Sequence, residues 1–105
     1  MKTSTIKPTQ LKIADLFPFT STRAEGIEAR EKLLQLLNSH TTLVLDFAKT
    51  HITVSFADEC LGVLAEKMGK EVFQQKISLK NISPTLNSLL THILTRRLHH
   101  DGQKH

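Results

Sequence analysis

Asp46, Asp58 and Glu59 are the side chains best suited by type to do chemistry, as a general acid–base pair or as oxygen ligands for a hard cation. Adjacent residues on a helix point about 100° apart, so Asp58 and Glu59 do not form a dyad by themselves. Acids in a first helical turn complement the helix dipole, and an acid at a strand end satisfies loop N–H groups. Cys60 follows directly, between Phe56 and Leu64 in spacing, where a small buried hydrophobe is expected; His51 is the nearby base and no oxyanion-hole motif accompanies it. Thr53 and Ser55 bring hydroxyls to the same segment. Ser55 is expected to cap a helix by accepting the N–H of Asp58, worth about 1 kcal/mol. Its rival role is a phospho-acceptor, favoured by a helix N-terminus and opposed by the charges of Asp58 and Glu59. Arg23 is expected to pair with Asp46 or with an acid of the second helix, or to contact a partner.

The elements that must position these groups fit one small domain. The chain has 105 residues, 39% of them hydrophobic and 23% charged, with five Phe and no Trp or Tyr, so its core must be aliphatic. The net charge is +4, and half of it lies in the last ten residues, where Arg96, Arg97 and Lys104 face only Asp101. The basicity therefore reads as a tail on a nearly balanced body. A single cysteine excludes an intrachain disulfide and a multi-cysteine zinc site. His92 and His99 lie seven apart beside Arg96, without the third and fourth ligands a zinc site needs, so neither a metal nor a cofactor is expected. Lys2, Lys7 and Lys12 interrupt any signal-peptide pattern and no apolar run approaches about 20 residues. The expectation is a cytoplasmic protein.

Residues 1–5 are expected to fray, 6–98 to form the domain, and 99–105 to form a basic, His-rich tail. Within the domain, Leu11 and Ile13 alternate with polar neighbours between Pro8 and Pro18, predicting an edge strand. Thr22 and Glu25 stand at capping-box spacing before a helix carrying Ile27, Ala29, Leu33, Leu34, Leu36 and Leu37, with Glu28 and Lys32 placed to pair. Gly26 early in that helix implies close approach of a neighbour. Residues 41–47 predict a central strand covered on both faces. A second helix runs from Ser55 to Gly69, a strand occupies 75–80, and Ser83-Pro84 opens a third helix with the stripe Leu86, Leu89, Leu90, Ile93 and Leu94, fading around Arg97 to His100. The order β-α-β-α-β-α predicts an α/β fold, with a mixed sheet of about four strands and three main helices.

Three segments together resemble a known family: Thr22-Arg23-Ala24-Glu25-Gly26 before a helix, Leu45-Asp46-Phe47 ending a strand, and Val54-Ser55-Phe56-Ala57-Asp58-Glu59 followed by Leu61-Gly62. The combination resembles the bacterial STAS-like domains of unknown function, which are similar to the STAS domains of sulphate transporters and anti-sigma-factor antagonists, over roughly residues 10–97. The resemblance implies a non-enzymatic regulatory module that binds proteins, with a histidine-kinase-like ATPase as the partner class. It also implies a switch hydroxyl at the junction holding Thr53 and Ser55. Antagonists carry an Asp-Ser-Ser-Gly-type motif before a Leu-Gly pair; matched on Leu61-Gly62, this chain has Asp58, Glu59 and Cys60 there instead. A Glu at that place resembles a permanent stand-in for phosphate.

The expected contact residues are thus Thr53, Ser55, Asp58, Glu59 and Arg23. Two other classes compete with this reading. One is a nucleic-acid-associated protein using Arg96, Arg97 and Lys104, for which the chain offers no helix-turn-helix pattern and no stacking aromatics. The other is a small enzyme built on Asp46, Asp58 and Glu59. An uncovered edge strand would support a homodimer.

Overall fold

The computed structural model describes residues 9–39 and 42–102, with side chains up to residue 98. The expected frayed start 1–5 and the side chains of the tail 99–105 lie outside these residues. Strand β1 (Thr9–Lys12) is followed at once by a single helical turn, α1 (Ile13–Leu16), and then by α2 (Arg23–Ser39). Strand β2 (Leu43–Asp46) leads into a helical stretch made of α3 (Val54–Ala57), a π turn (Asp58–Gly62) and α4 (Val63–Met68). Helix α5 (Lys70–Lys76), strand β3 (Ile77–Lys80) and helix α6 (Pro84–Gly102) complete the fold.

The sheet has three strands among the described residues, ordered β1-β2-β3, and both pairings are parallel. This corrects the expected mixed sheet of about four strands. It also corrects the doubly covered centre. Leu43 and Leu45 are fully buried and Ile77 nearly so, whereas Gln10, Lys12, Ser78 and Lys80 are exposed and Val44 and Asp46 half-buried. A consecutive order of parallel strands with right-handed crossovers stacks the connecting helices on one side. The other face is wet, and its register rows are Gln10–Val44–Ser78 and Lys12–Asp46–Lys80. Lys80 Nζ donates to Gln10 Oε1 at 3.0 Å, reaching across the middle strand on that face.

Local chemistry explains most boundaries. The capping box forms as expected: Thr22 Oγ1 accepts the Glu25 N–H, and Glu25 Oε1 accepts the N–H groups of Ser21 and Thr22. Those backbone donors hold the Glu25 carboxyl below its usual range, with the Ser21 N–H the largest cause. Ser83 Oγ accepts the Leu86 N–H, starting α6 with Pro84 in its first turn. Gly69, at φ +89°, ends α4 in a backbone region that suits glycine. Its carbonyl then accepts the Phe73 N–H at 2.9 Å, and the chain restarts as α5, which runs to Lys76 over the expected start of the strand. The last strand is therefore shorter than 75–80. Helix α6 keeps its pattern through Arg97 and runs on to Gly102.

The core is aliphatic at its centre. Leu33, Leu43, Leu45, Leu61 and Leu64 are its largest fully buried side chains, with Leu86, Leu90 and Ile93 of α6 closing one side. Phe17 packs on Phe56 with ring centroids 6.2 Å apart and planes tilted by 59°. Among the described residues no helix is long and apolar enough to cross a membrane.

Candidate functional site

Parallel strands deliver the starts of α2 and α3 to the same end of the sheet, and hydrogen bonds join the two entry loops. The Thr53 N–H donates to Thr20 O at 3.2 Å, and Thr20 Oγ1 donates to His51 O at 2.6 Å. Thr53 Oγ1 donates to Ser21 O and accepts the Phe56 N–H at 3.2 Å. Thr53 is therefore the N-cap, which corrects the assignment of that role to Ser55. Extended backbone at Thr53 puts its hydroxyl three residues before a free N–H, whereas Ser55 is already inside the helix. Ser55 is half-buried and its hydroxyl has no side-chain hydrogen bond among the described residues. Val54 beside it is 56% exposed.

Asp58 and Glu59 open the π turn, closed by the Val63 N–H donating to Asp58 O across five residues. Their angular divergence sends them to different helices. Arg97 of α6 grips Asp58 with two parallel bonds, Nε to Oδ1 at 2.9 Å and Nη2 to Oδ2 at 2.7 Å, and reaches Glu66 Oε1 at 2.8 Å. Arg30 of α2 donates to Glu59 Oε1 at 3.2 Å and to the Glu59 carbonyl. Arg23 bridges the two acids, 3.1 Å from Glu59 Oε2 and 3.4 Å from Asp58 Oδ2. Of the partners expected for Arg23, the acids of the second helix are the ones it meets. The result is one connected chain of alternating charge, Arg30–Glu59–Arg23–Asp58–Arg97–Glu66. Hydrogen bonding to Arg97 is the largest cause holding the Asp58 carboxyl below its usual range. The same pairing, with Asp58 as the first cause, raises the Arg97 guanidinium above its ordinary value.

Two glycines let the helices come this close. A Cβ on Gly26 would lie 2.8 Å from the Phe56 carbonyl and 2.9 Å from Glu59 Cβ; one on Gly62 would lie 2.9 Å from Ile93 Cγ2 and from Asp58 Oδ1. The close neighbour implied by Gly26 is thus the helix after β2. The π turn sits between α2 and α6, pinned on each side by a glycine contact and an arginine.

Asp46 belongs to a different structure. Its Oδ1 accepts the Ala48 N–H and Asn81 Nδ2, each at 2.9 Å, tying the exit of β2 to the exit of β3. The Asn81 bond is the largest cause lowering its pKa. Asp46 therefore shares no hydrogen-bond partner with Asp58 or Glu59. Among the described residues no group of three or more His, Cys, Asp and Glu could hold a metal ion. Cys60 is buried, and desolvation pushes its thiol up to about 12.

Arg30 and Glu66 belong to no expected site, and Arg97 only to the basic end considered for nucleic acid, where the structure pairs it with Asp58 and Glu66 instead; the two arginines carry a signal. Arg97 falls four after Ile93 and seven after Leu90, in the next slot of the core stripe of α6. Arg30 falls four after Gly26 and three before Leu33, at the margin of the buried face of α2. An arginine on a packing face needs an anion opposite it.

No curated protein and no solved structure matches the chain. The family described as STAS-like domain of unknown function (DUF4325) matches residues 25–87. That segment runs from the first turn of α2 to the first turn of α6 and contains β2, the π turn and β3. With Asp46, both acids of the π turn and the Thr53 cap inside the matched segment, the chain belongs to the STAS-like domain family.

Proposed function

We propose that this chain is a non-enzymatic regulatory module that binds a protein partner through the joined starts of α2 and α3. The observation that carries the reading is the combination, at one end of the sheet, of Arg23 with a side chain 55% exposed, Val54 56% exposed, and the half-buried Ser55. A histidine-kinase-like ATPase is the partner class that the STAS-like resemblance favours. Ser55 is the better regulatory hydroxyl of the two candidates, because Thr53 Oγ1 already donates to Ser21 O and accepts from Phe56 N–H. Asp58 and Glu59 act in this reading as anions held by arginines of the same chain rather than as direct contacts. Their pairing supports a fixed surface, and it also supports the absence of acid–base chemistry, since neither carboxylate is free.

The test is a titration of purified histidine-kinase-like ATPases from the same organism. Wild type is compared with Val54→Glu and Ser55→Asp, changes that place acids where a first helical turn tolerates them. A loss of affinity of tenfold or more in both variants, with unchanged thermal melting, is the expected result. Equal binding of all three proteins would refute the surface.

A further inference from the structure

A second feature lies on the other flank of α2. The segment after α1 runs beside the first turns of α2 and leaves an open groove of about 300 Å³. Its floor is Leu16, Phe17 and the buried Ala29, and it is stiffened from below by the contact of Phe17 with Phe56. Phe19 forms its lip and is 69% exposed, the most exposed large apolar side chain among the described residues. In a chain with five aromatic residues, leaving one in water forgoes burial that the core could use.

The wall of the groove is charged. Along α2 it carries Glu25, Glu28 and Lys32. Glu28 and Lys32 stand in the spacing that favours an ion pair, yet neither takes part in one within 4 Å among the described residues. The rim thus has a net charge of −1 on a molecule of net charge +4. Its acids lie toward the start of α2 and its one base lies a turn further on. The three charged positions span about 10 Å of helix, a length suited to a stretch of polypeptide. The open lip fits a small enclosed ligand poorly.

We infer that this groove binds a segment of a partner protein that presents one bulky apolar side chain beside Lys or Arg. The apolar side chain lies on the floor against Phe17 and Phe19, and the cation faces Glu25 and Glu28. Aromatic anchors ringed by polar groups are where interface energy concentrates. Rim charges select among partners by complementarity. The groove shares α2 with the surface at the helix starts but none of Val54, Ser55 or Thr53, so substitutions separate the two.

The experiment selects from displayed random 12-residue peptides on the intact, immobilised chain and then measures affinities with the enriched synthetic peptides. Wild type should enrich sequences pairing a Leu, Ile, Met or aromatic residue with Lys or Arg. Phe19→Ala should weaken those peptides by tenfold or more. Glu28→Lys should weaken them similarly and turn its own selection toward Asp and Glu. Both substituted side chains are exposed, so thermal melting should be unchanged. No enrichment over an unrelated control protein, or binding indifferent to both variants, would overturn the inference. So would a dimer in analytical ultracentrifugation that Phe19→Ala dissolves, because the occupant would then be a second copy. Ser55→Asp should leave peptide binding unchanged; if it abolishes binding while Phe19→Ala is silent, the peptide belongs to the helix-start surface and the groove is refuted.

Discussion

Asp58 accepts three hydrogen bonds from two arginines, and its removal leaves Arg97 with Glu66 alone. Because the side chains of Asp58 and Arg97 are 19% and 28% exposed, the pair lies between the surface and buried limits. Asp58→Asn is expected to cost about 1–3 kcal/mol in urea denaturation. The pH dependence has a definite sign. The folded carboxyl titrates below the ordinary value of 3.8, so its stabilisation is complete above the unfolded pKa and is lost as pH falls through the folded one. Wild type should therefore lose stability more steeply than Asp58→Asn below about pH 4, measured as denaturation midpoint against pH. Cys60 gives an independent check on packing. With its thiol raised to about 12 by burial, it should resist a thiol reagent at pH 8 in the folded state and react readily in denaturant. Fast labelling of the native chain would contradict its placement.

At the scale of elements, the helix starts and the close approaches decide the architecture. Thr53→Ala removes a working cap and should cost about 1 kcal/mol, while Ser55→Ala should be nearly neutral; thermal denaturation separates the two. Gly26→Ala pushes a methyl against the Phe56 backbone carbonyl, which cannot step aside. It should destabilise by about 1–3 kcal/mol even though alanine is the better helix former. Most of these elements are legible from local chemistry. Thr22 with Glu25, Ser83 with Pro84, and Gly69 each mark a boundary by a hydrogen bond or a backbone angle that neighbours in sequence determine. The cap falls at Thr53, two residues before the expected Ser55, because both hydroxyls precede apolar residues and only the backbone angle distinguishes them. The π turn is not legible, since residues 56, 57, 60, 61, 64 and 65 are all buried and so wide an apolar swath hides one extra residue. Helix α5 depends on Phe73 reaching the core after a glycine break, a tertiary event.

For the whole molecule, consecutive parallel strands collect the helices on one face of the sheet and both helix starts at one end. The α/β class follows from alternation along the chain. The single-sided covering does not, because it depends on strand order, which periodicity does not encode. The candidate site divides in the same way. Residue types mark the segment 53–59, but the partners of Asp58 and Glu59 lie on helices 29 to 39 residues away, which only the fold brings together. This arrangement separates residues that hold the surface from residues that form it. The most direct measurement is the affinity of the proposed partner, a histidine-kinase-like ATPase, for wild type, Val54→Glu and Asp58→Asn, at a temperature where all three are folded. Val54→Glu is expected to lose tenfold or more with unchanged stability, and Asp58→Asn to lose stability with affinity within about twofold of wild type. Tight binding by Val54→Glu together with loss of binding by folded Asp58→Asn would contradict the account, since the acid and not the exposed helix start would then make the contact.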